Sequence, residues 1–167
     1  MTDKSRILCE SILPLIKGLQ KYPGDSCFSY GVSKLIRRFT EYPKDIGIPY
    51  MYSLKALEAA EKIGVDAEKI VWIGYSEQTA KRGLQDIGHG TGIFHHEHII
   101  PISQIIQQML KLEELTVENL YELLIDNYKI AWILKSEQKI LDANNKSTNR
   151  TPELLNALQI YIKGFNC

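Results

Sequence analysis

The run Phe94-His95-His96-Glu97-His98-Ile99-Ile100-Pro101 puts three of the chain's four histidines within four consecutive positions, beside a single carboxylate. Imidazole and carboxylate together supply what metal-assisted hydrolysis requires: a hard oxygen donor for a divalent cation and a base that titrates near neutrality. A β-strand sends adjacent side chains to opposite faces, so Glu97 and His98 can serve one site only where the strand ends and its pleat is broken. Pro101, three residues on, is consistent with such an end. His96 shares a strand face with His98 and could orient it, touch substrate or pack. His95 is as readily structural as functional.

Positioning these residues calls for a hairpin. Residues 92–98 are expected to form its first strand. Residues 128–134 (YKIAWIL), rich in aromatic and branched side chains, form the second. Ser136 then stands as an N-cap for one or two helical turns through Glu137, Gln138 and Leu141. Two helices are predicted between the strands. One covers 103–112, with Ile105, Ile106, Met109, Leu110 and Leu112 packed on the core; the other is capped by Thr116, with Val117, Leu120, Leu123 and Leu124 inward.

Upstream, residues 2–22 have helical spacing with Pro14 inside, where a kink or break is expected. Residues 30–42 set Val32, Leu35, Ile36 and Phe39 against Lys34, Arg37 and Arg38, a basic group that is either a solvated face or a phosphate contact. Residues 43–50 form a loop, and Ser53 caps an alanine-rich helix ended by Gly64. Asp66 starts a further helix through Ile70, residues 71–73 read as helix or strand, and 76–82 form a short helix. The glycine-rich 88–92 lacks the order of a phosphate loop and leads into the strand. Thr151-Pro152 opens a C-terminal helix over 151–167, with Leu154, Leu155, Leu158, Tyr161 and Ile162 against the core.

The order Glu97-His98-Ile99-x-Pro101 resembles the first half of the HNH, or ββα-metal, nuclease motif. The strand and helix over 128–141 resemble its second half, and the likeness extends over roughly residues 92–150. This resemblance implies that Glu97 is a metal ligand, that His98 is the general base, and that Gln138, three residues before Leu141, takes the last ligand position. Glutamine is an unusual occupant there, though its amide oxygen suits a hard cation. Asn119, in an Asn-Leu pair, is the candidate for the family's bracing asparagine, with Asn127 its competitor. The basic stretch after the helix, with Lys146 and Arg150, resembles the family's polar tail and joins His96, Arg37 and Arg38 as candidate substrate contacts. The implied cofactor is one divalent metal, Mg²⁺ or Mn²⁺, with Zn²⁺ or Ni²⁺ admitted by the nearby imidazoles. The two helices between the strands depart from the family's shorter loop.

At 167 residues, 44% hydrophobic and 24% charged, the chain fits one domain with a real core. The expected class is α+β: mainly helical around a ββα-metal core, with a helical scaffold over 1–90, the catalytic core over 91–150 and a closing helix over 151–167. Net charge is zero, which argues against indiscriminate nucleic-acid binding. Residues 127–150 nonetheless hold five bases against two acids. Three scattered cysteines make neither a disulfide framework nor a zinc knuckle. Without a leader or a long apolar run, the chain reads as cytoplasmic and not membrane-bound.

The function these features imply is a metal-dependent endonuclease cutting double-stranded DNA, most like a type II restriction enzyme acting as a homodimer. The alternatives are a non-specific nuclease or toxin, and a non-catalytic helical module that binds DNA or protein and carries a degenerate hairpin.

Overall fold

The helical period of the N-terminal residues is met in a computed structural model of the chain, which describes residues 1–41, 51–62, 64, 66, 67, 93–145, 150–163 and 165, with 38–41, 144 and 145 described in backbone only. The expected loop at 43–50, the elements over 68–92 and Lys146 lie outside the described residues. The fold is mixed α+β and mostly helical, with one three-stranded sheet among the described residues. The chain divides into two compact units, Met1–Pro49 with Ile100–Lys129 and Tyr50–Ile99 with Ile130–Cys167. The two helices between the hairpin strands therefore group with the N-terminal helices and not with the hairpin. Residues 50–62 group with the hairpin.

In the first unit, α1 (Asp3–Lys21) buries Cys9, Ile12, Ile16 and Leu19, a stripe of every third or fourth residue. Thr2 caps it, its hydroxyl accepting from the Ser5 amide at 3.3 Å. Of the kink or break expected at Pro14, the break does not occur, since α1 runs through it. Pro14 lies on the exposed side, while Ile12 and Ile16 hold the flanking turns in the core. Helix α2 (Ser26–Glu41) buries Val32 and Ile36 and packs on α1. Gly18 permits this approach, since a β-carbon there would fall 2.4 Å from the Phe28 ring. Two further helices of this unit follow Pro101 in the chain. Ile102, Ile105, Ile106 and Met109 are buried along one (Ile102–Leu110), and Leu120 and Leu124 along the next (Val117–Asn127). Thr116 caps the latter as expected, accepting from the Asn119 amide at 3.1 Å.

In the second unit, β1 (Met51–Tyr52), β2 (Phe94–His98) and β3 (Ile130–Leu134) form a sheet in the order β1-β3-β2. The central β3 is parallel to β1 and antiparallel to β2. Ile130 to Ile133 are fully buried, as a strand covered on both faces must be. Helix α3 (Leu54–Lys62) packs on β3 through Ala56 and Ala60, in one cluster with Phe94 and Trp132. Numbered in chain order across both units, the Ile102–Leu110 and Val117–Asn127 helices are α4 and α5, and α6 (Lys135–Asn145) follows β3 with no loop. Leu141 of α6 joins Ile99, Ala131, Ile133, Leu155, Ile160 and Ile162 on the opposite face of the sheet.

One carboxylate ties this unit's joints. Glu137 Oε2 accepts from the Ser53 hydroxyl at 2.6 Å and from the Leu134 amide at 2.8 Å, while the Ser53 hydroxyl oxygen accepts from the Ala56 amide at 3.1 Å. The cap expected of Ser136 is thus supplied by Glu137, reaching back from the third helical position to the amide before the helix. The last helix, α7 (Pro152–Ala157), begins at the Thr151 cap but stops well short of 167. Gln159 turns the chain at φ 56°, and Ile162 then bridges to Ser53. Tyr161 is consequently exposed.

Burial pushes the Cys9 thiol up to about 12, with the charges of Glu10 and Glu118 adding to the shift, whereas Cys27 is exposed. Iodoacetamide is expected to label Cys27 in the native protein and Cys9 only after denaturation. Peptide mass spectrometry reads the difference, and equal native labelling would contradict the buried stripe of α1.

Candidate functional site

The register of β2 on β3 decides which of the clustered residues can work together. Phe94, His96 and His98 lie opposite Leu134, Trp132 and Ile130, whereas His95 and Glu97 lie opposite Ile133 and Ala131. Directly paired residues share a face, so the cluster splits in two. His96 and His98 belong to the face covered by α3. There His96 is buried, its ring 4.7 Å from that of Trp132 and edge-on to His98 at 6.3 Å. His98 is half-buried and ends the strand.

His95 and Glu97 belong to the face covered by α6 and the C-terminal segment. The Glu97 carboxylate divides its oxygens. Arg150 Nε donates to Oε1 at 2.9 Å, and His95 Nε2 lies 3.3 Å from Oε2. Arg150 is 4% exposed and Glu97 8%, so this is a buried ion pair. The chain delivers Arg150 by a backbone bond, its amide donating to the Ile99 carbonyl at 2.9 Å just beyond the end of β2. Burial, the largest influence, pushes the Glu97 pKa up. The hydrogen bond from His95 and the charge and hydrogen bond of Arg150 together outweigh it, leaving the carboxyl below its ordinary 4.5.

The other candidates fall elsewhere. Gln138 donates its amide to Asp142 Oδ2 at 3.2 Å, one turn along α6, while the buried positions of that helix are Glu137 and Leu141. Asn119 donates to the Glu114 carbonyl and Asn127 to that of Leu123, both at 2.9 Å within the helical unit. Arg37 is exposed on α2, and Arg38 is described in backbone only. Arg150, expected in a basic tail, is instead folded beneath the sheet.

Among the described residues, no group of three or more His, Cys, Asp or Glu is placed to hold a metal ion. The Glu97 and Gln138 side chains have separate partners. The 3.3 Å between His95 Nε2 and Glu97 Oε2 is the separation of a hydrogen-bonded ion pair, which together with Arg150 occupies both carboxylate oxygens.

Two participants escaped the sequence reading. Glu137 carried a usable signal, an acid at the third position of a helix, but the capping-box pattern was hidden because Leu134, not Ser or Thr, precedes the helix. Arg150 as a partner of Glu97 left no local signal, since the two are 53 positions apart. No family model matches the chain, and no curated protein or solved structure matches it.

Because the folded carboxyl ionises more readily than the unfolded one, Glu97 contributes stability that is fully present above about 4.5 and is lost as pH falls through the lower folded value. Denaturation followed from neutral to acid pH should show this acid limb in the parent protein and a flatter one in Glu97→Gln. Arg150→Ala, which leaves a buried carboxylate uncompensated, should cost about 3–5 kcal/mol at neutral pH. A loss below ~1 kcal/mol, the range of a solvated surface pair, would contradict the buried geometry.

Proposed function

We propose that this chain is a metal-dependent endonuclease of the HNH type that hydrolyses DNA phosphodiester bonds, acting as a type II restriction enzyme and as a homodimer on a two-fold site. The observation that carries this reading is the layout of the second unit. An antiparallel pair, β2 on β3, is followed without a loop by a helix packed on both strands, with Glu97 and His98 at the end of β2. That is the strand-strand-helix order which the sequence resemblance implies.

The chain's own residues then have distinct tasks. Glu97, oriented by Arg150, offers carboxylate oxygen on the α6 face. Gln138 is the second donor implied by the resemblance, and its amide would have to leave Asp142 to serve. His98, in register at the strand terminus on the α3 face, would have to turn toward the Glu97 side to accept a proton from the attacking water, an effect typically worth roughly 10²- to 10⁴-fold. His96 packs behind it and limits its ring orientation. Bound Mg²⁺ or Mn²⁺ would supply charge neutralisation on the phosphoryl oxygens. Lys34 and Arg37, exposed on α2 of the first unit, would be phosphate contacts in their own right.

Purified protein should cut double-stranded DNA into discrete fragments with Mg²⁺ or Mn²⁺ and not with EDTA, and His98→Ala should lower the rate by at least ~100-fold. A smear in place of discrete bands would favour a non-specific nuclease. Full activity of His98→Ala would remove the base assignment. A second reading, a non-catalytic module that binds DNA or protein, is favoured by the engagement of Gln138 with Asp142 and of Glu97 with Arg150. DNA binding with no cleavage under any divalent metal would establish it over the first.

A further inference from the structure

We infer that the outer face of α2 binds single-stranded nucleic acid, with Tyr30 stacking on an unpaired base and Lys34 and Arg37 holding the phosphates beside it. The inference goes beyond the cleavage reading and does not depend on it. Helix α2 turns Phe28, Val32 and Ile36 toward its own unit: the Phe28 ring lies over Gly18 of α1, and Val32 and Ile36 are fully buried. Cys27, Tyr30, Lys34 and Arg37, three or four positions apart, then form one exposed stripe on the other side. Tyr30 is 64% exposed, more than any other large apolar side chain among the described residues. Lys34 Nζ stands 5.1 Å from the centre of its ring. The charge that attracts a phosphate thus sits beside a ring on which a base can stack. Tyr22 is also exposed, but it stacks on Phe28 at 6.2 Å and so belongs to the corner between α1 and α2.

The charge of the helical unit is arranged to the same effect. Helices α1 and α4 pack on each other, and each packs on both α2 and α5, which sets α2 and α5 at opposite corners of the unit. Helix α2 carries Lys34, Arg37 and Arg38 and no acid before its final Glu41. Helix α5 carries no base and exposes Glu118, Glu122 and Asp126 at intervals of four. A polyanion is therefore drawn to one corner and repelled from the other, although the net charge of the whole chain is zero. A duplex, its bases already stacked and paired, would use only the charges. An exposed aromatic ring among them fits a strand whose bases are unpaired, since proteins that hold single strands combine a basic track with aromatic stacking.

The test is fluorescence anisotropy of labelled oligo(dT), oligo(rU) and a duplex of equal length with the full chain in EDTA, where metal-dependent cleavage is silent and binding is read alone. At least one single strand should bind more tightly than the duplex, and the two strands distinguish DNA from RNA. Tyr30→Ala should weaken that binding by at least ~5-fold, the low end of what one stacked base contributes, while Tyr30→Phe should retain it. Lys34→Gln with Arg37→Gln should lower the slope of log affinity against log salt by about 1.4, two phosphate contacts on a single strand at ~0.7 each. The bound strand should also slow alkylation of Cys27. All these positions are exposed, and circular dichroism checks that the variants keep their helices. Binding of neither strand, preference for the duplex, unchanged affinity in Tyr30→Ala or an unchanged salt slope would each overturn the inference. So would self-association in sedimentation velocity that is lost both in Lys34→Gln with Arg37→Gln and in Glu118→Gln with Glu122→Gln, since α2 would then be covered by a second copy of the chain. Strand binding without DNA cleavage under Mg²⁺ or Mn²⁺ leaves the inference standing and removes the nuclease reading; cleavage without strand binding does the reverse.

Discussion

A carboxylate withdrawn from water beneath a helix must be met by positive charge and hydrogen bonds, and in this chain the requirement falls on Glu97. Arg150 meets it, and much of the second unit follows from how Arg150 is brought there. Its amide bonds to the Ile99 carbonyl, so the chain after α6 returns to the end of β2. Thr151 can then cap α7 at once, Leu155 and Ile160 close the apolar face, and Ile162 reaches Ser53 on the far edge of the sheet. Ser53 in turn bonds Glu137, which fixes the start of α6 against the end of β3. Two buried carboxylates thus hold the helix, the hairpin and the C-terminal segment in one arrangement. One is paired with a guanidinium and the other with a hydroxyl and an amide.

The same arrangement separates the histidines by face. His96 lies against Trp132 under α3, with His98 beside it, whereas His95 shares the α6 face with Glu97. A dense cluster in sequence is therefore two pairs in space, divided by the sheet. The division puts a carboxylate and one imidazole on one side of the strand and two imidazoles on the other. No described helix is long and apolar enough to cross a membrane.

Local rules made most elements legible. The 3.6-residue stripes of α1, α4 and α5, the Thr116 and Thr151 caps, the Gly64 stop at φ 69° and both hairpin strands are where periodicity and capping chemistry put them. Pro14 does not break α1 because it lies on the exposed side between turns anchored by Ile12 and Ile16, a fact of burial and not of propensity. Ser136 misled because a side chain from inside the helix had already taken the capping role. The C-terminal helix ends early because Ile162 gains a place in the sheet unit that a continued helix would deny it. The candidate cluster was legible in composition, and its split between two faces in the alternation of β2. Its partners were not, since the bond from Arg150 to Glu97 and that from Ser53 to Glu137 join positions 53 and 84 residues apart, and nothing in a local window reports them.

The buried pair of Glu97 and Arg150 is what holds the C-terminal segment beneath the hairpin. A double-mutant cycle on Glu97→Gln and Arg150→Met, read by urea denaturation at neutral pH, tests this most directly. A coupling energy above about 1 kcal/mol is predicted, beyond the range of a solvated surface pair. Additive losses, within about 0.5 kcal/mol, would contradict it.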